Sequence, residues 1–195
     1  MLSNDVACES LSVTAWGFEV FWRAPFKEAC FVVLERLLES GNAVLITTKP
    51  KLAVIKEITQ HFGSYHDQMQ FRFTITSDDD TVLEFWEPNA PRFKERLASL
   101  VYSYNRGFKT SVSIEPFLDY DPTELTETVV PFVTESIWIG KMNYIPRKNL
   151  SNEEMIQYQK IRKNYRVDHL WEIYNSLAGY PKVRFKDSVR IHLHT

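Results

Sequence analysis

Glycine and cysteine are scarce in this sequence. Its 195 residues include six glycines and two cysteines. It contains no G-x-G-x-x-G motif or other glycine-rich phosphate loop, which disfavours a dinucleotide-binding fold. Cys8 and Cys30 have neither the spacing of a metal-binding pair nor the number that a disulfide framework requires. We interpret Cys30 as a core residue of a helix.

Long apolar runs and a strong net charge are also absent. No stretch of about 18 apolar residues predicts a transmembrane helix, and the first residues do not have the basic-then-apolar order of a secretory signal. We therefore expect a cytoplasmic protein without membrane contact. The net charge of −2 gives no overall attraction to nucleic acid. The hydrophobic content of 44% is enough for one core, with room for a small appendage.

Residues 71–116 predict a strand, a loop, a helix and a second strand. Apolar and polar residues alternate in both strands, so each strand buries one face. A unit of this length predicts a parallel pair joined by a right-handed crossover. The polar faces indicate a barrel-like sheet that holds a ligand, because strands covered on both sides are almost continuously apolar. The apolar stripe of the helix is Phe93, Leu97, Leu100, Val101 and Tyr104. The polar strand residues are Arg72, Thr74, Thr76, Ser111, Ser113 and Glu115.

The remaining pattern predicts an α/β fold in which strands begin near residues 43, 70, 109 and 136, each followed by a helix. Four to five parallel strands are too few for a full eight-stranded barrel. They fit an open partial barrel with outer helices or a doubly wound sheet. For residues 1–22, a short strand at 11–15 or at 18–22 and a poorly ordered segment are equally compatible with the pattern. The predicted division is an irregular segment at 1–24, a partial βα barrel at 25–150, and a helical extension with a basic tail at 151–195. The predicted helices span about 25–40, 52–62, 122–131, 151–163 and 167–177.

Five segments together resemble the radical S-adenosylmethionine superfamily, in its DNA repair photolyase-like, spore photoproduct lyase-related branch. The resemblance runs from about residue 26 into the tail, where VRFKDSVR at 183–190 also fits. The segments are LITTKP at 45–50, FRFTITS at 71–77, FWEPNAPRFKERL at 85–97, GFKTSVSIEPFLD at 107–119 and SIWIGKMN at 136–143.

This resemblance implies a partial barrel of six βα units and radical chemistry that depends on two cofactors. One is S-adenosylmethionine, and the other is a [4Fe-4S] cluster held by a C-x3-C-x2-C motif after the first strand. This chain has no such motif, and two cysteines cannot supply three thiolates. We therefore expect its amino-terminal strands to be missing or degraded. The expected protein is a catalytically incomplete carboxy-terminal portion, with a complementary amino-terminal portion as its partner.

The resemblance also implies roles for several residues. Lys49 follows a strand at the position where relatives have a lysine near the carboxylate of S-adenosylmethionine. Without the resemblance, a solvated lysine at a strand end is the favoured interpretation. The other predicted cofactor-binding residues lie on the polar strand faces and are Thr74, Thr76, Ser113 and Glu115. The predicted substrate-side residues are Arg72, Lys141 and Asn143.

Several alternatives remain open at this point. Arg72 and Glu115 would form a structural ion pair if neither contacts a ligand. Glu87 is interpreted as a helix-entry residue rather than as a catalytic acid, and no catalytic residue or metal ligand is assigned. The alternative function is a cluster-free binding or scaffold domain for a nucleoside or a protein partner. Nucleic-acid binding has weaker support, from the family name and from the basic tail residues Lys182, Arg184, Lys186 and Arg190.

Overall fold

A single parallel sheet organises the part of the chain that the computed structural model describes, residues 11–14 and 26–193. Within those residues the sheet has six strands, and each strand pairs in parallel with the next one along the chain. The predicted α/β class is confirmed. The strands are β1 Leu11–Thr14, β2 Val44–Thr48, β3 Met69–Thr74, β4 Lys109–Ile114, β5 Ile137–Ile139 and β6 Val183–Phe185.

Helices fill the connections between these strands. Most agree with the predicted spans, and two have amino-terminal side-chain caps. Asp79 accepts a hydrogen bond from the Thr81 amide at the start of a short helix, and Ser151 forms a capping box with Glu154. The helices are α1 Phe26–Glu39, α2 Leu52–His61, α3 Asp80–Trp86, α4 Phe93–Asn105, α5 Thr123–Val129, α6 Asn152–Asn164, α7 Val167–Leu177 and α8 Asp187–Arg190.

The sequential strand order decides between the two predicted sheet types. A doubly wound sheet reverses its strand order at a switch point, and no reversal occurs among the described strands. When every strand is followed by its neighbour through a right-handed crossover, the connecting helices lie on the same side of the sheet. This order is compatible with a partial barrel, and it leaves the second side of the sheet for other contacts.

The two faces of the sheet differ sharply in polarity, as the alternation predicts. Thr47 and Arg72 are paired in register, and so are Thr74 and Ser113, which puts the polar residues of neighbouring strands on one face. The opposite face belongs to the hydrophobic core, together with apolar residues of α1, α2, α4, α5 and α7. Its buried members are Val44, Ile46, Met69, Phe71, Phe73, Val112, Ile114, Ile137, Ile139 and Val183.

The prediction of which face of α4 is buried is wrong in part. Leu100 is buried, but Tyr104 is exposed. The buried residues are instead Arg96, Ser99, Leu100 and Ser103, which repeat at helical spacing. Ser99 and Ser103 donate their hydroxyls to the carbonyls of Glu95 and Ser99, so these small polar side chains pack inward without unpaired groups.

Both ends of the sheet lie outside the predicted barrel segment of 25–150. Strand β1 pairs with β2, whereas the alternative strand position at 18–22 lies outside the described residues. Strand β6 lies within the predicted helical extension, and its Val183 joins the common core with Leu170, Leu177 and Leu193. The extension is therefore packed into the same core as the barrel segment. Strands β1 and β6 raise the expected four to five strands to six.

The basic tail is folded rather than extended. It forms β6 and α8, and each of its four basic side chains has a partner within the chain. Lys182 donates to the Val133 carbonyl and Arg184 to the carbonyls of Pro181 and Val183. Lys186 pairs with Glu115, and Arg190 pairs with Asp187. Lys186 and Arg190 therefore have carboxylate partners, whereas Lys182 and Arg184 bond to backbone carbonyls.

None of the described helices combines the length and apolar character that crossing a membrane requires.

Candidate functional site on the polar sheet face

The candidate site is the side of the sheet that faces away from the hydrophobic core. We call it the polar face. Ligand groups gather at the carboxyl ends of strands in parallel sheets, and the polar face has its charged residues at that end. The polar face includes Leu45, Thr47, Lys49, Gln70, Arg72, Thr74, Ser111, Ser113, Glu115, Ser136, Trp138, Gly140, Arg184 and Lys186.

In the amino-terminal half of the polar face, the polar side chains form hydrogen bonds with one another. Gln70 donates its side-chain amide to the Ser111 hydroxyl at 2.5 Å. The Ser111 and Ser136 hydroxyls lie 3.5 Å apart. These contacts link β3, β4 and the residue before β5, so this half serves mainly to hold the strands in register.

A charged and aromatic cluster occupies the other half. The Arg72 guanidinium lies 6.0 Å from the centroid of the Trp138 ring, and the Lys186 ammonium lies 5.2 Å from it. Both distances fit cation–π contacts. Lys186 also forms an ion pair with Glu115 at 3.2 Å. Burial lowers the pKa of Arg72, and the nearby charge of Glu115 opposes that effect.

The predicted structural pair of Arg72 and Glu115 is therefore replaced by a different one. The ion partner of Glu115 is Lys186. Arg72 lies over the ring of Trp138, and its electrostatic interaction with Glu115 acts over a longer distance. The pair of Glu115 and Lys186 was not predictable from the sequence, because Lys186 follows β6, a strand that the sequence analysis does not predict. Within the described residues, Arg72 Nε and Trp138 Nε1 are buried without a hydrogen-bond acceptor.

Gly140 makes room for the Glu115 side chain. A Cβ atom at this glycine would lie 2.8 Å from Cγ of Glu115 and 2.9 Å from its Cδ and Oε1. Such distances are too short for non-bonded atoms, so any larger residue would displace the carboxylate. Gly140 thus fixes where the negative charge of the polar face lies.

Glu87 is the centre of a second network at the edge of the polar face. Its Oε2 accepts a hydrogen bond from the buried Arg96 at 2.5 Å. Its Oε1 accepts one from the Thr76 hydroxyl at 3.0 Å and lies 3.0 Å from the Lys49 ammonium. The interpretation of Glu87 as a simple helix-entry residue is therefore too limited. Arg96, which sequence analysis missed, also donates to the carbonyls of Pro91 and Thr74.

The two networks divide the predicted cofactor-binding residues. Ser113 lies in register between Thr74 and Trp138 on the polar face. Thr76 is fully buried, and its hydroxyl is already bonded to Glu87. Lys49 is half-exposed and shares the Glu87 carboxylate with Arg96.

The predicted substrate-side residues after β5 lie apart from the cluster around Trp138. Lys141 is half-buried, and its amide donates to the Ser188 hydroxyl at 3.2 Å. Burial lowers the pKa of His192, and the charge of Lys141 lowers it further. Asn143 is exposed in the following loop. Arg72 is the substrate-side residue that lies within the cluster.

A half-buried carboxyl, that of Asp119, lies beyond the ends of β3 and β4. Burial raises the pKa of Asp119 to about 6, and the neighbouring acidic residues Asp78 and Asp79 add to this, while the hydrogen bond from Ser77 opposes it. Asn164 donates to the Asp119 carbonyl at 2.9 Å, and the Tyr165 hydroxyl donates to that of Phe117 at 2.7 Å. These bonds attach the end of α6 to the loop that closes the carboxyl end of the sheet.

The residues of this chain do not fit an iron–sulfur cluster. Such a cluster needs three thiolates in the expected family arrangement, and the sequence has two cysteines. Cys30 lies half-buried on α1, where burial raises the pKa of its thiol, and Cys8 lies outside the described residues. In the described part of the chain, no group of three or more His, Cys, Asp or Glu side chains is arranged to hold a metal ion.

Comparison with known proteins adds no assignment. No protein-family model matches the chain, and no curated protein matches its sequence. The resemblance to the radical S-adenosylmethionine superfamily therefore stays a prediction.

Proposed function

We propose that this chain is a radical S-adenosylmethionine superfamily protein whose sheet is a partial barrel and whose polar face binds S-adenosylmethionine or a related nucleoside. The single observation that supports this most is the polar face itself. A parallel sheet in sequential order carries hydroxyls, a carboxylate and cations on the face opposite its core. That polarity at strand ends is typical of a ligand site.

Each proposed contact follows from the chemistry of the side chain. Lys49 is a point charge suited to the ligand carboxylate, and Glu87 holds it at the edge of the face. Thr74 and Ser113 offer hydroxyls beside the nucleoside. Glu115 is an acceptor suited to ribose hydroxyls, because an ionised carboxylate only accepts hydrogen bonds. Thr76 acts through Glu87 and has no direct contact in this proposal.

Radical cleavage of S-adenosylmethionine needs the iron–sulfur cluster, and this chain lacks the thiolates for it. We therefore assign no reaction step to the chain. In this proposal the cluster ligands come from a complementary polypeptide, and this chain contributes the nucleoside-binding face. We place the protein in the cytoplasm, in keeping with an oxygen-sensitive cofactor partner.

The test is calorimetric titration of the purified chain with S-adenosylmethionine, S-adenosylhomocysteine and methylthioadenosine. We expect saturable binding, and Glu115→Gln should weaken it about tenfold, which is the effect of losing one hydrogen bond to a charged group. Glu135→Gln is the matched control, because Glu135 is exposed and lies before β5. Absence of binding by a chain that gives a folded circular dichroism spectrum would overturn the proposal.

The second candidate is a cluster-free binding or scaffold domain, which the cysteine content favours. Anaerobic reconstitution with iron and sulfide in the presence of nucleoside distinguishes this candidate from the first proposal. Under the first proposal, a cluster forms only when a polypeptide that supplies the missing thiolates is added. Nucleoside binding that no such polypeptide alters would favour the second candidate.

A further inference from the structure

Two buried nitrogen donors belong to neighbouring side chains of the polar face. They are Nε of Arg72 and Nε1 of Trp138, and no acceptor in the described part of the chain lies within hydrogen-bonding distance of either. The guanidinium lies 6.0 Å from the centroid of the indole ring. The two side chains come from β3 and β5 and approach each other across β4.

Neither group has an acceptor within residues 11–14 and 26–193. More than nine in ten buried polar groups in folded proteins have a hydrogen-bond partner. Arginine and the tryptophan indole are donors only, so one cannot satisfy the other. A group that satisfies both must therefore carry acceptor atoms, and the positive guanidinium favours one that is negatively charged.

The local charge supports an anion as well. Lys186 lies over the same indole ring at 5.2 Å, and Glu115 balances only one of the two cations that surround that ring. One positive charge is left without a counter-ion in the cluster. Lys49 lies in the separate network, where it shares the single negative charge of Glu87 with Arg96.

We propose that Arg72, Trp138 and Lys186 form a binding site for the carboxylate or phosphate group of a small-molecule ligand other than the nucleoside. Arg72 Nε and Trp138 Nε1 donate hydrogen bonds to its oxygens, and Lys186 supplies a nearby positive charge. The site extends the function proposed above by naming an acidic substrate class. It stands on these contacts whether or not the chain binds a nucleoside.

The experiment follows the two donors directly by NMR of the ¹⁵N-labelled chain. The Trp138 indole signal is one of five, since the sequence has five tryptophans, and it is identified by its loss in Trp138→Phe. Sodium acetate and sodium phosphate are titrated separately at constant ionic strength, with sodium chloride as the reference. We expect a saturable shift of the Trp138 and Arg72 side-chain N–H signals, and the more tightly bound salt identifies the carboxylate or phosphate source.

Two variants test the assignment. Arg72→Gln should weaken anion binding about tenfold through the loss of a charge-assisted hydrogen bond. Lys186→Gln should weaken it as well, and it serves as the second test if Arg72→Gln fails to fold. Arg106→Gln is the matched control, because Arg106 is exposed and precedes β4 at the opposite end of the sheet. Shifts that chloride reproduces, or that persist unchanged in Arg72→Gln and Lys186→Gln, would overturn the proposal.

Competition separates this site from the nucleoside site. With methylthioadenosine present, which has no carboxylate, the anion shifts should persist. If they persist while no nucleoside binds, only the function proposed above fails. If S-adenosylmethionine displaces acetate and methylthioadenosine does not, the cluster holds the carboxylate of the nucleoside ligand itself, and the separate acidic substrate is refuted.

Discussion

Arg96 is fully buried, and its guanidinium donates a hydrogen bond to the carboxylate of Glu87 at 2.5 Å. The glutamate side chain is itself only 7% exposed. Two further donations, to the carbonyls of Pro91 and Thr74, fix the guanidinium against β3 and the entry to α4. The pair therefore connects the helix that covers the sheet to the edge of the candidate site.

Replacing Arg96 should be among the most destabilising changes in the chain. Arg96→Met leaves the Glu87 carboxylate buried without its main partner, and we expect a loss of about 3–5 kcal/mol in the free energy of unfolding. Urea unfolding followed by circular dichroism measures this. The double variant Glu87→Gln/Arg96→Met should lose less than the sum of the two single variants, because the residues are coupled. Strict additivity would refute the coupling.

Lys49 provides an internal comparison, since it pairs with the same carboxylate. Its side chain is 42% exposed, so water stabilises its charge when the pair is broken. We expect Lys49→Met to cost about 1 kcal/mol or less and to weaken nucleoside binding instead. A stability loss as large as that of Arg96→Met would mean that Lys49 is a structural rather than a ligand-binding residue.

Asp119 should make the protein less stable as the pH rises through weakly acidic values. Burial raises the pKa of its carboxyl from 3.8 to about 6, so the folded state keeps a proton that the unfolded chain has released. The free energy of unfolding therefore falls between these two values and levels off above pH of about 6. Asp119→Asn remains neutral, so its stability relative to the native chain should increase across the same window.

Unfolding in urea at a series of pH values tests this. Asp187→Asn is a suitable control, because the Asp187 side chain is 93% exposed and solvent stabilises its charge in both states. If the Asp119→Asn difference is the same at pH values below and above the window, the carboxyl has the same pKa in the folded and unfolded states and the prediction is wrong.

The strands in the middle of the sheet were predictable because their alternation is strict. Phe71 and Phe73 face the core while Arg72 and Thr74 face away, and this pattern needs no knowledge of the partner strands. Strand β6 was not predictable, because it has three residues in a basic segment and forms only by pairing with β5. The same reason explains why the end of the chain was assigned to a separate extension.

The buried face of α4 shows a different limit. Sequence analysis treats arginine as an exposed residue, yet the acceptors of Arg96 come from Thr74, Glu87 and Pro91, in separate segments. Their convergence is a property of the fold. The same limit applies to the candidate site. Alternation predicts that Arg72 and Glu115 lie on the polar face, whereas the contacts of Trp138 and Lys186 with them depend on the order of the strands in the sheet.

His169 should contribute stability that is lost as the pH rises. Burial of its ring lowers its pKa, but hydrogen bonds to Glu172 and to the Tyr120 carbonyl, with the charges of Glu172 and Asp121, raise it more, so the net pKa lies above 6.5. Both ring nitrogens face acceptors, at 2.9 Å and 2.7 Å, and only the charged imidazolium donates from both. The contribution is complete below pH 6.5 and disappears as the pH passes the raised pKa.

NMR titration of the His169 ring measures this pKa directly. Glu172→Gln should lower it, because the amide removes the charge while keeping much of the side-chain shape. In unfolding experiments, His169→Gln should lose more stability in acid than in alkali, relative to the native chain. A pKa below that of an ordinary histidine would show that burial outweighs the two hydrogen bonds.

Gly140→Ala should disturb the candidate site through the Glu115 carboxylate. The new Cβ would lie 2.8 Å from Cγ of Glu115, so that side chain must move and release its ion pair with Lys186. We expect a loss of about 1–3 kcal/mol in the free energy of unfolding, the usual effect of overpacking, together with weaker nucleoside binding. Gly179→Ala is the control, because its added Cβ would meet nothing within 4 Å.

The cause is tested by repeating the substitution in a chain that carries Glu115→Ala, which removes the atoms that the new methyl group would meet. In that background Gly140→Ala should have little further effect on unfolding. Such a result would identify the space above Gly140 as the feature that positions the acidic group of the site. An equal loss in both backgrounds would mean that the glycine is needed by the β5 backbone, and that Glu115 reaches its position without it.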